Sequence, residues 1–429
     1  MTEPVRIGLL GCGNVGSAVL RLLASRGDAI EARTGLRLEI ARVAVRTPDR
    51  AIAAGVPEAI LTTDAAEVVS DPSIDVVVEV IGGIEPARTL ILAALGAGKP
   101  VVTANKELIA QVGADLFAAA ERTGVDLLFE AAVAGGIPLI RPLRESLAGE
   151  RIRRVMGIVN GTTNYILTRM TEEGAGYDEA LAEAQELGYA ERDPTADVDG
   201  FDAAAKVAII ASVAFGASVV ADDVYCEGIT AVTSETIDYA TRLGYVVKLL
   251  GVAEHHEDGS IAVRVHPAMV PADHPLAAVR ESFNAVFIEG DAVGDVMLYG
   301  RGAGGDPTAT AILGDLIDAA SNRRKGSSAT IGALPRATIR PVDEVRSEYY
   351  INLELADRPG VLHAVAGVFA DHGVSIRSME QDGLEDEARL HLITHTTNEA
   401  TMQATLRDID DLEVVRRVTS LLRVMGDES

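Results

Sequence analysis

Three ionisable side chains gathered around one stretch of helix are the first sign of chemistry. In Phe201-Asp202-Ala203-Ala204-Ala205-Lys206, Asp202 and Lys206 stand four residues apart and share a helical face, in a segment otherwise built of alanine and branched aliphatics. A lysine in such apolar company is paired or functional, because an uncompensated buried ammonium is costly or loses its proton. Glu191, in the loop Leu187-Gly188-Tyr189-Ala190-Glu191-Arg192-Asp193-Pro194 just upstream, adds a second carboxylate suited to a substrate ammonium. The set reads as an acid–base pair with an ammonium clamp or, on residue types alone, as a structural Asp–Lys pair.

A second constellation lies near the N-terminus. Gly11-Cys12-Gly13-Asn14-Val15-Gly16 carries G-x-G-x-x-G directly after the strand-like Arg6–Leu10 and at the opening of a helix. There the glycines make the tight turn, admit a pyrophosphate to the backbone and seat the helix on the sheet, which predicts a dinucleotide cofactor. The second strand ends in Val43-Ala44-Val45-Arg46 without the acidic residue that NAD-preferring sites place there. Arg46 is therefore either a partner for the 2′-phosphate of NADP or a solvated arginine. Cys12, with no histidine nearby in sequence, reads as a small residue of the loop and not as a nucleophile. A fourth strand ends in Val102-Thr103-Ala104-Asn105-Lys106, which puts Thr103 and Lys106 at the sheet edge where ligands of open α/β folds bind. Lys106 then serves cofactor or substrate, or is a surface lysine. The next strand runs into Glu130-Ala131-Ala132-Val133-Ala134-Gly135-Gly136-Ile137-Pro138, a carboxylate followed by a glycine turn that either converges on a monovalent cation or forms a domain hinge.

These residues need elements to hold them. Strand-like runs at Arg6–Leu10, Leu38–Val45, Asp75–Val80, Pro100–Thr103 and Asp126–Glu130 alternate with helical spacing, as at Gly16–Ser25 and Arg88–Ala97, and predict a Rossmann-type, doubly wound parallel sheet over residues 1–133. From residue 134 to 304 long helical segments precede strands, an α+β substrate and dimerisation domain. The helix Thr308–Ala320 is expected to return to the first domain, completing it by about residues 305–325. Isolated prolines and weak periodicity mark a linker at 326–348. Residues 349–429 read as β-α-β-β-α-β, a ferredoxin-like module.

Taken together, Gly11-x-Gly13-x-x-Gly16, Thr103-Ala104-Asn105-Lys106, Asn160-Gly161-Thr162-Thr163-Asn164-Tyr165 and Gly188-Tyr189-Ala190-Glu191 leading to Asp202 and Lys206 closely resemble homoserine dehydrogenase over essentially the whole chain. The resemblance implies reversible NAD(P)H-dependent reduction of L-aspartate 4-semialdehyde to L-homoserine, on the way to threonine, isoleucine and methionine. It implies Lys206 as general acid or base, Asp202 as its orienter and a substrate contact, Glu191 on the substrate amino group, and Lys106 between nicotinamide and substrate. It further implies a sodium site at Glu130, Val133, Gly135 and Ile137, with all but the glutamate acting through main-chain oxygens, and a cofactor contact at Gly302. The C-terminal module resembles an ACT domain at Asp357-Arg358-Pro359-Gly360-Val361-Leu362, which implies threonine feedback or, alternatively, a purely assembling role in a homodimer or homotetramer.

A length of 429 residues suggests two to four domains. A net charge of −26 gives no pull toward phosphate backbones or anionic lipid, so neither nucleic acid nor membrane is an expected partner. The apolar run Ala203–Val220 carries Lys206 and reads as a core helix. Two distant cysteines, Cys12 and Cys226, and an opening run, Val5–Leu10, that feeds a glycine turn instead of a cleavage site point to the cytoplasm. No histidine spacing suggests catalytic zinc. From another class, a catalytically inert sensor of nucleotide and amino acid would share the same domains, but it would not need Glu191, Asp202 and Lys206.

Overall fold

The computed structural model describes residues 3–53, 55–329, 331–384 and 387–426. Along the chain come β1 (Val5–Leu10), α1 (Asn14–Thr34), β2 (Leu38–Ala44), α2 (Pro48–Ala53), β3 (Leu61–Thr62), α3 (Ala65–Ser70), β4 (Val76–Glu79), α4 (Ala87–Gly96), β5 (Val101–Thr103), α5 (Lys106–Thr123) and β6 (Leu127–Leu128). There follow β7 (Ile152–Ile158), α6 (Gly161–Glu173), α7 (Tyr177–Glu186), α8 (Thr195–Val198), α9 (Phe201–Phe215), β8 (Tyr225–Cys226), α10 (Ser234–Arg242), β9 (Tyr245–His255), β10 (Ile261–Pro271), β11 (Phe283–Gly290), β12 (Gly294–Arg301) and α11 (Gly305–Lys325). The last part holds β13 (Arg346–Ala356), α12 (Val361–Asp371), β14 (Ile376–Leu384), β15 (Glu387–Thr394), β16 (Thr397–Asn398), α13 (Glu399–Asp410) and β17 (Val415–Val424).

The chain divides into two compact units. The first comprises Met1–Val155, Ala205–Val224 and Asn284–Ala337. Its parallel sheet has the order β3-β2-β1-β4-β5-β6. This is the doubly wound order, which reverses direction between β1 and β4 and opens a crevice there. Strands buried on both faces explain the unbroken apolar runs, such as Val76, Val77 and Val78, all 0 % exposed. Ala18, Val19 and Leu22 of α1 share one core with Ile312, Leu313 and Leu316 of α11, so a helix nearly three hundred residues downstream covers the first.

Two sequence expectations change in this unit. The strand expected at Asp126–Glu130 is only Leu127–Leu128, and Glu130 opens a single 3-10 turn, because its N–H is taken by Asp315 and its carboxylate by the backbone that follows. The two-residue β3 had too short an apolar run to show in the sequence.

The second unit comprises Met156–Ala204, Tyr225–Phe283 and Thr338–Ser429. The long antiparallel hairpin of β9 and β10 pairs through β10 with β17 in parallel, and the sheet runs on as β17-β13-β15-β14. Elements β13 to β17 give the expected β-α-β-β-α-β module, with Tyr349, Ile351, Leu353 and Leu355 of β13 packed against Val365 and Phe369 of α12. The stretch expected as a linker is not slack: Arg336 bridges Ser218 in the first unit, Ile339 bridges Ile261 in the second, and Val342–Glu344 form a 3-10 turn. Backbone pairing of this kind shows in no side-chain periodicity. Among the described residues no helix is long and apolar enough to cross a membrane; the apolar run from Ala203 breaks when α9 ends at Phe215.

Candidate active site

In the first unit the glycine loop sits at the switch point between β1 and β4. Gly11 has φ +102°, and a Cβ there would stand 2.8 Å from the Val80 carbonyl oxygen. A Cβ on Gly16 would stand 2.4 Å from the Gly11 oxygen. Gly13 differs, since a Cβ on it would meet nothing within 4 Å. What requires a glycine at position 13 is thus no neighbour in the protein, which fits a backbone kept bare for an incoming phosphate. Asn14 and Val15 open α1, whose first turn has neither a side-chain cap nor an acidic residue, so its N–H groups suit an anion. Burial pushes the Cys12 thiol up and the Cys226 thiol to about 11, and both cysteines are free. Neither has the character of a thiolate nucleophile. Arg46 follows β2 and is exposed.

The next strand ends carry a buried polar network. Glu79, the last residue of β4, pairs in register with Leu10 of β1 and Thr103 of β5. Its carboxylate accepts hydrogen bonds from the backbone N–H of Ile81 (2.7 Å) and Gly82 (3.2 Å) and from the Thr103 hydroxyl (2.6 Å). The Thr103 oxygen accepts in turn from the Asn105 N–H at 3.1 Å, and the Asn105 side chain caps α5 by accepting from the Leu108 N–H. Thr103 is fully buried with its hydroxyl committed on both sides, so any contact it makes with a ligand is through its main chain. Lys106 is the first residue of α5. One apolar cavity in this unit is lined by Ile109, Gly113 and Phe117 of α5 together with Ile209, Ser212 and Val213 of α9. Lys106 and Lys206 each lie three residues ahead of a residue lining that cavity.

The turn after β6 is tightly specified. The Glu130 carboxylate accepts from the N–H groups of Leu139 (2.5 Å), Ile140 (2.7 Å) and Arg141 (2.9 Å), while its own N–H donates to Asp315 at 2.9 Å. Burial, with Glu130 alongside, pushes the Asp315 carboxyl up to about 8. Ala134 and Gly135 are successive left-handed residues, with φ of 56° and 55°. A Cβ on Gly135 would come within 2.4 Å of the Gly302 oxygen, and one on Gly302 within 2.0 Å of the Asn284 side chain. Among the described residues the carbonyls of Val133, Gly135 and Ile137 are taken up by no hydrogen bond. These main-chain oxygens suit a hard monovalent cation, and the 139–141 N–H groups hold the Glu130 carboxylate in one orientation.

The second unit holds the other cluster. Asn160 caps α6 by accepting from the Thr163 N–H (2.9 Å), and its amide donates to both Asp197 (2.7 Å) and Asp202 (2.9 Å). The Thr162 hydroxyl donates to the Tyr189 carbonyl at 2.7 Å, and the Tyr189 ring packs against Tyr165, tilted by 43° with centroids 4.9 Å apart. Those contacts anchor the loop that presents Glu191, whose side chain is exposed. Asp202, half-buried, lies in the first turn of α9, and Lys206, also half-buried, follows on the same helix in the stretch Ala205–Val224 that belongs to the first unit. Sequence reasoning quoted the Asn160 motif without seeing that its first residue ties two aspartates together. Glu79 was missed altogether, because it closes an otherwise apolar strand. In the C-terminal module, Gly360 at φ +97° and the exposed Asp357-Arg358-Pro359 make an uncapped turn at the start of α12.

Comparison with known proteins places each part. The family model for the NAD binding domain of homoserine dehydrogenase matches residues 11–130, that for homoserine dehydrogenase matches 138–317, and the ACT domain model matches 349–414. Homoserine dehydrogenase of Mycobacterium tuberculosis is 49 % identical across 99 % of this chain and 98 % of its own length. That of Corynebacterium glutamicum is 47 % identical over 99 % and 96 %. Among solved structures, a homoserine dehydrogenase from Thiobacillus denitrificans covers 99 % of both chains at 43 % identity with a TM-score of 0.94. A hyperthermophilic archaeal homoserine dehydrogenase in complex with NADPH covers 74 % of this chain and 98 % of its own at 29 % identity and a TM-score of 0.64.

Proposed function

Because the chain belongs to the homoserine dehydrogenase family, an NAD(P)-dependent group of oxidoreductases, we propose that Lys206 is the acid of its reaction and that Asp202, Glu191 and Lys106 hold the substrate for it. The observation that carries this reading is the Asn160 amide on Asp202, one helical turn ahead of Lys206, which fixes the carboxylate that orients the lysine. Reduced nicotinamide, when bound, supplies the hydride to the aldehyde carbon of L-aspartate 4-semialdehyde. Lys206 gives a proton to the oxygen, so that aldehyde, hydride and proton make L-homoserine, and takes it back in reverse. Glu191 pairs with the substrate ammonium, and Lys106 supplies positive charge at the developing oxyanion.

Gly11, Cys12, Gly13, Asn14, Val15 and Gly16 cradle the pyrophosphate, with Thr103 and Gly302 lining the nicotinamide end. Arg46 favours NADP over NAD, and the NADPH bound to the archaeal relative supports that choice. A sodium ion held by Glu130 and by the main-chain oxygens of Val133, Gly135 and Ile137 stiffens the turn resting against Gly302. The exposed turn at Asp357–Gly360 takes threonine as feedback effector of a cytoplasmic homodimer or homotetramer, alongside the supply of threonine, methionine and isoleucine.

The test follows NADPH oxidation by L-aspartate semialdehyde for the wild-type chain and Lys206→Ala, with cofactor binding checked by fluorescence. The expected result is turnover by the wild type and a variant slower by about 10²–10⁴, the loss of a general acid. A folded, cofactor-binding wild type without turnover overturns the enzymatic reading in favour of a sensor.

A further inference from the structure

Glu79 belongs to no glycine motif and to none of the residues assigned above to cofactor or substrate, yet it is a fully buried carboxylate at the switch point of the sheet. It ties down two loops. On one side it accepts the N–H groups of Ile81 and Gly82, in a turn whose Gly82 and Gly83 have φ of 81° and 70°. On the other it accepts a hydrogen bond from the Thr103 hydroxyl, whose oxygen accepts in turn from the Asn105 N–H. The circuit closes when the Asn105 amide donates to the Gly83 carbonyl at 2.6 Å, joining both loops ahead of α5 and Lys106. A buried carboxylate that accepts three hydrogen bonds is costly to assemble and has narrow geometric tolerance. Its partners are the last residue of β5 and the backbone of the loop that follows β4, both at the carboxyl edge, where ligands of such sheets bind.

We infer that Glu79 is a positioning residue for the reaction: through Thr103 and Asn105 it sets the start of α5 and so the place of Lys106. This rests on the reading that Lys106 acts at the nicotinamide and substrate. Glu79→Gln keeps an oxygen for Ile81 and Gly82 but turns N–H groups toward Thr103, whose hydroxyl then loses its acceptor.

The experiment compares kcat, both KM values and NADPH binding for Glu79→Gln, Thr103→Val, Thr103→Ser, the double variant Glu79→Gln/Thr103→Val, and Lys106→Ala. The expected pattern for Glu79→Gln and Thr103→Val is a kcat lower by about ten- to a hundredfold, with the NADPH affinity of Glu79→Gln within about threefold, since a chain of shared hydrogen bonds is lost while the glycine loop is untouched. The double variant falls no further than the worse single one, because the two residues act as one unit, and Thr103→Ser recovers most of the rate. If Glu79→Gln does not fold, the pair Thr103→Val and Thr103→Ser decides the matter alone. Wild-type kcat in Glu79→Gln or Thr103→Val beside an impaired Lys106→Ala overturns the inference and leaves the function standing. Wild-type kcat in Lys106→Ala overturns the premise about Lys106 and the inference with it.

Discussion

Replacing Asn160 with aspartate asks whether the tie between Asp197 and Asp202 matters for the reaction. The substitution keeps the shape and the oxygen that caps α6, but turns an amide that donates to two carboxylates into a third carboxylate facing them. A hydrogen bond to a charged group contributes about 1.5–3 kcal/mol; because both aspartates are only half-buried, the lower end applies, and two lost bonds come to about 3 kcal/mol. At about 1.4 kcal/mol per decade the bond lost from Asp202, about 1.5 kcal/mol, is roughly tenfold in kcat/KM if Asp202 orients Lys206, while both bonds together set the loss of folding stability. The crowding also raises the carboxyl pKa of the folded variant above its unfolded value. The folded state then keeps a proton that the unfolded chain sheds, so the penalty grows as pH rises through that window. It shrinks as pH falls, when the introduced carboxyl, once protonated, can donate again. Urea unfolding followed by circular dichroism between about pH 5 and 8, the span of such shifts, measures the stability effect, and NADPH oxidation at each pH measures the catalytic one. Wild-type kcat/KM in Asn160→Asp, together with a stability difference that does not change with pH, would refute the reasoning.

Three further outcomes are expected. Lys248, 2 % exposed, donates to Asn164 and the Val279 carbonyl, and burial lowers its pKa from 10.5 to about 8. Between those values the unfolded chain holds a proton that the folded one lacks, so stability gains up to about 3 kcal/mol as pH rises through the window; urea midpoints of Lys248→Met should lack that rise. Gly302→Ala drives a Cβ into the Asn284 side chain, at a cost of about 1–3 kcal/mol for overpacking; Asn284→Ala should recover stability in the double variant, and additive losses in thermal unfolding would contradict the clash. Arg423, 3 % exposed, pairs with Glu227 (2.7 Å) and Glu399 (2.9 Å) where β17 meets β10. Arg423→Met should cost about 3–5 kcal/mol, because two carboxylates lose their cation, one of them buried; a melting temperature equal to wild type would rule that out.

Much of the site could be read before any coordinates. Motifs contiguous in sequence carry their own geometry: Gly11, Gly13 and Gly16 need only the strand before and the helix after them, and Asp202 and Lys206 need only the 3.6-residue turn. Periodicity likewise located the parallel sheet and the β-α-β-β-α-β module, whose strands and helices are long enough to show a face. The sequence on its own therefore determined the family, the fold class and most of the residues proposed for the reaction.

What it did not determine depends on groups brought together from afar. That Glu79 serves Thr103 depends on the lateral register of β4 and β5, which no spacing along the chain encodes. That Asn160 holds Asp197 and Asp202 needs the cap of α6 to meet α8 and the first turn of α9 some forty residues later. That the Glu130 carboxylate gathers three N–H groups at 139–141 shows in no spacing either, since a buried backbone donor finds its acceptor only in the folded chain. The nominal linker is held by main-chain bridges that leave no trace in residue type. Sequence sets a side chain's chemistry and its local face, whereas hydrogen-bond partners across strands and turns are chosen only when the backbone's own polar groups are satisfied in three dimensions.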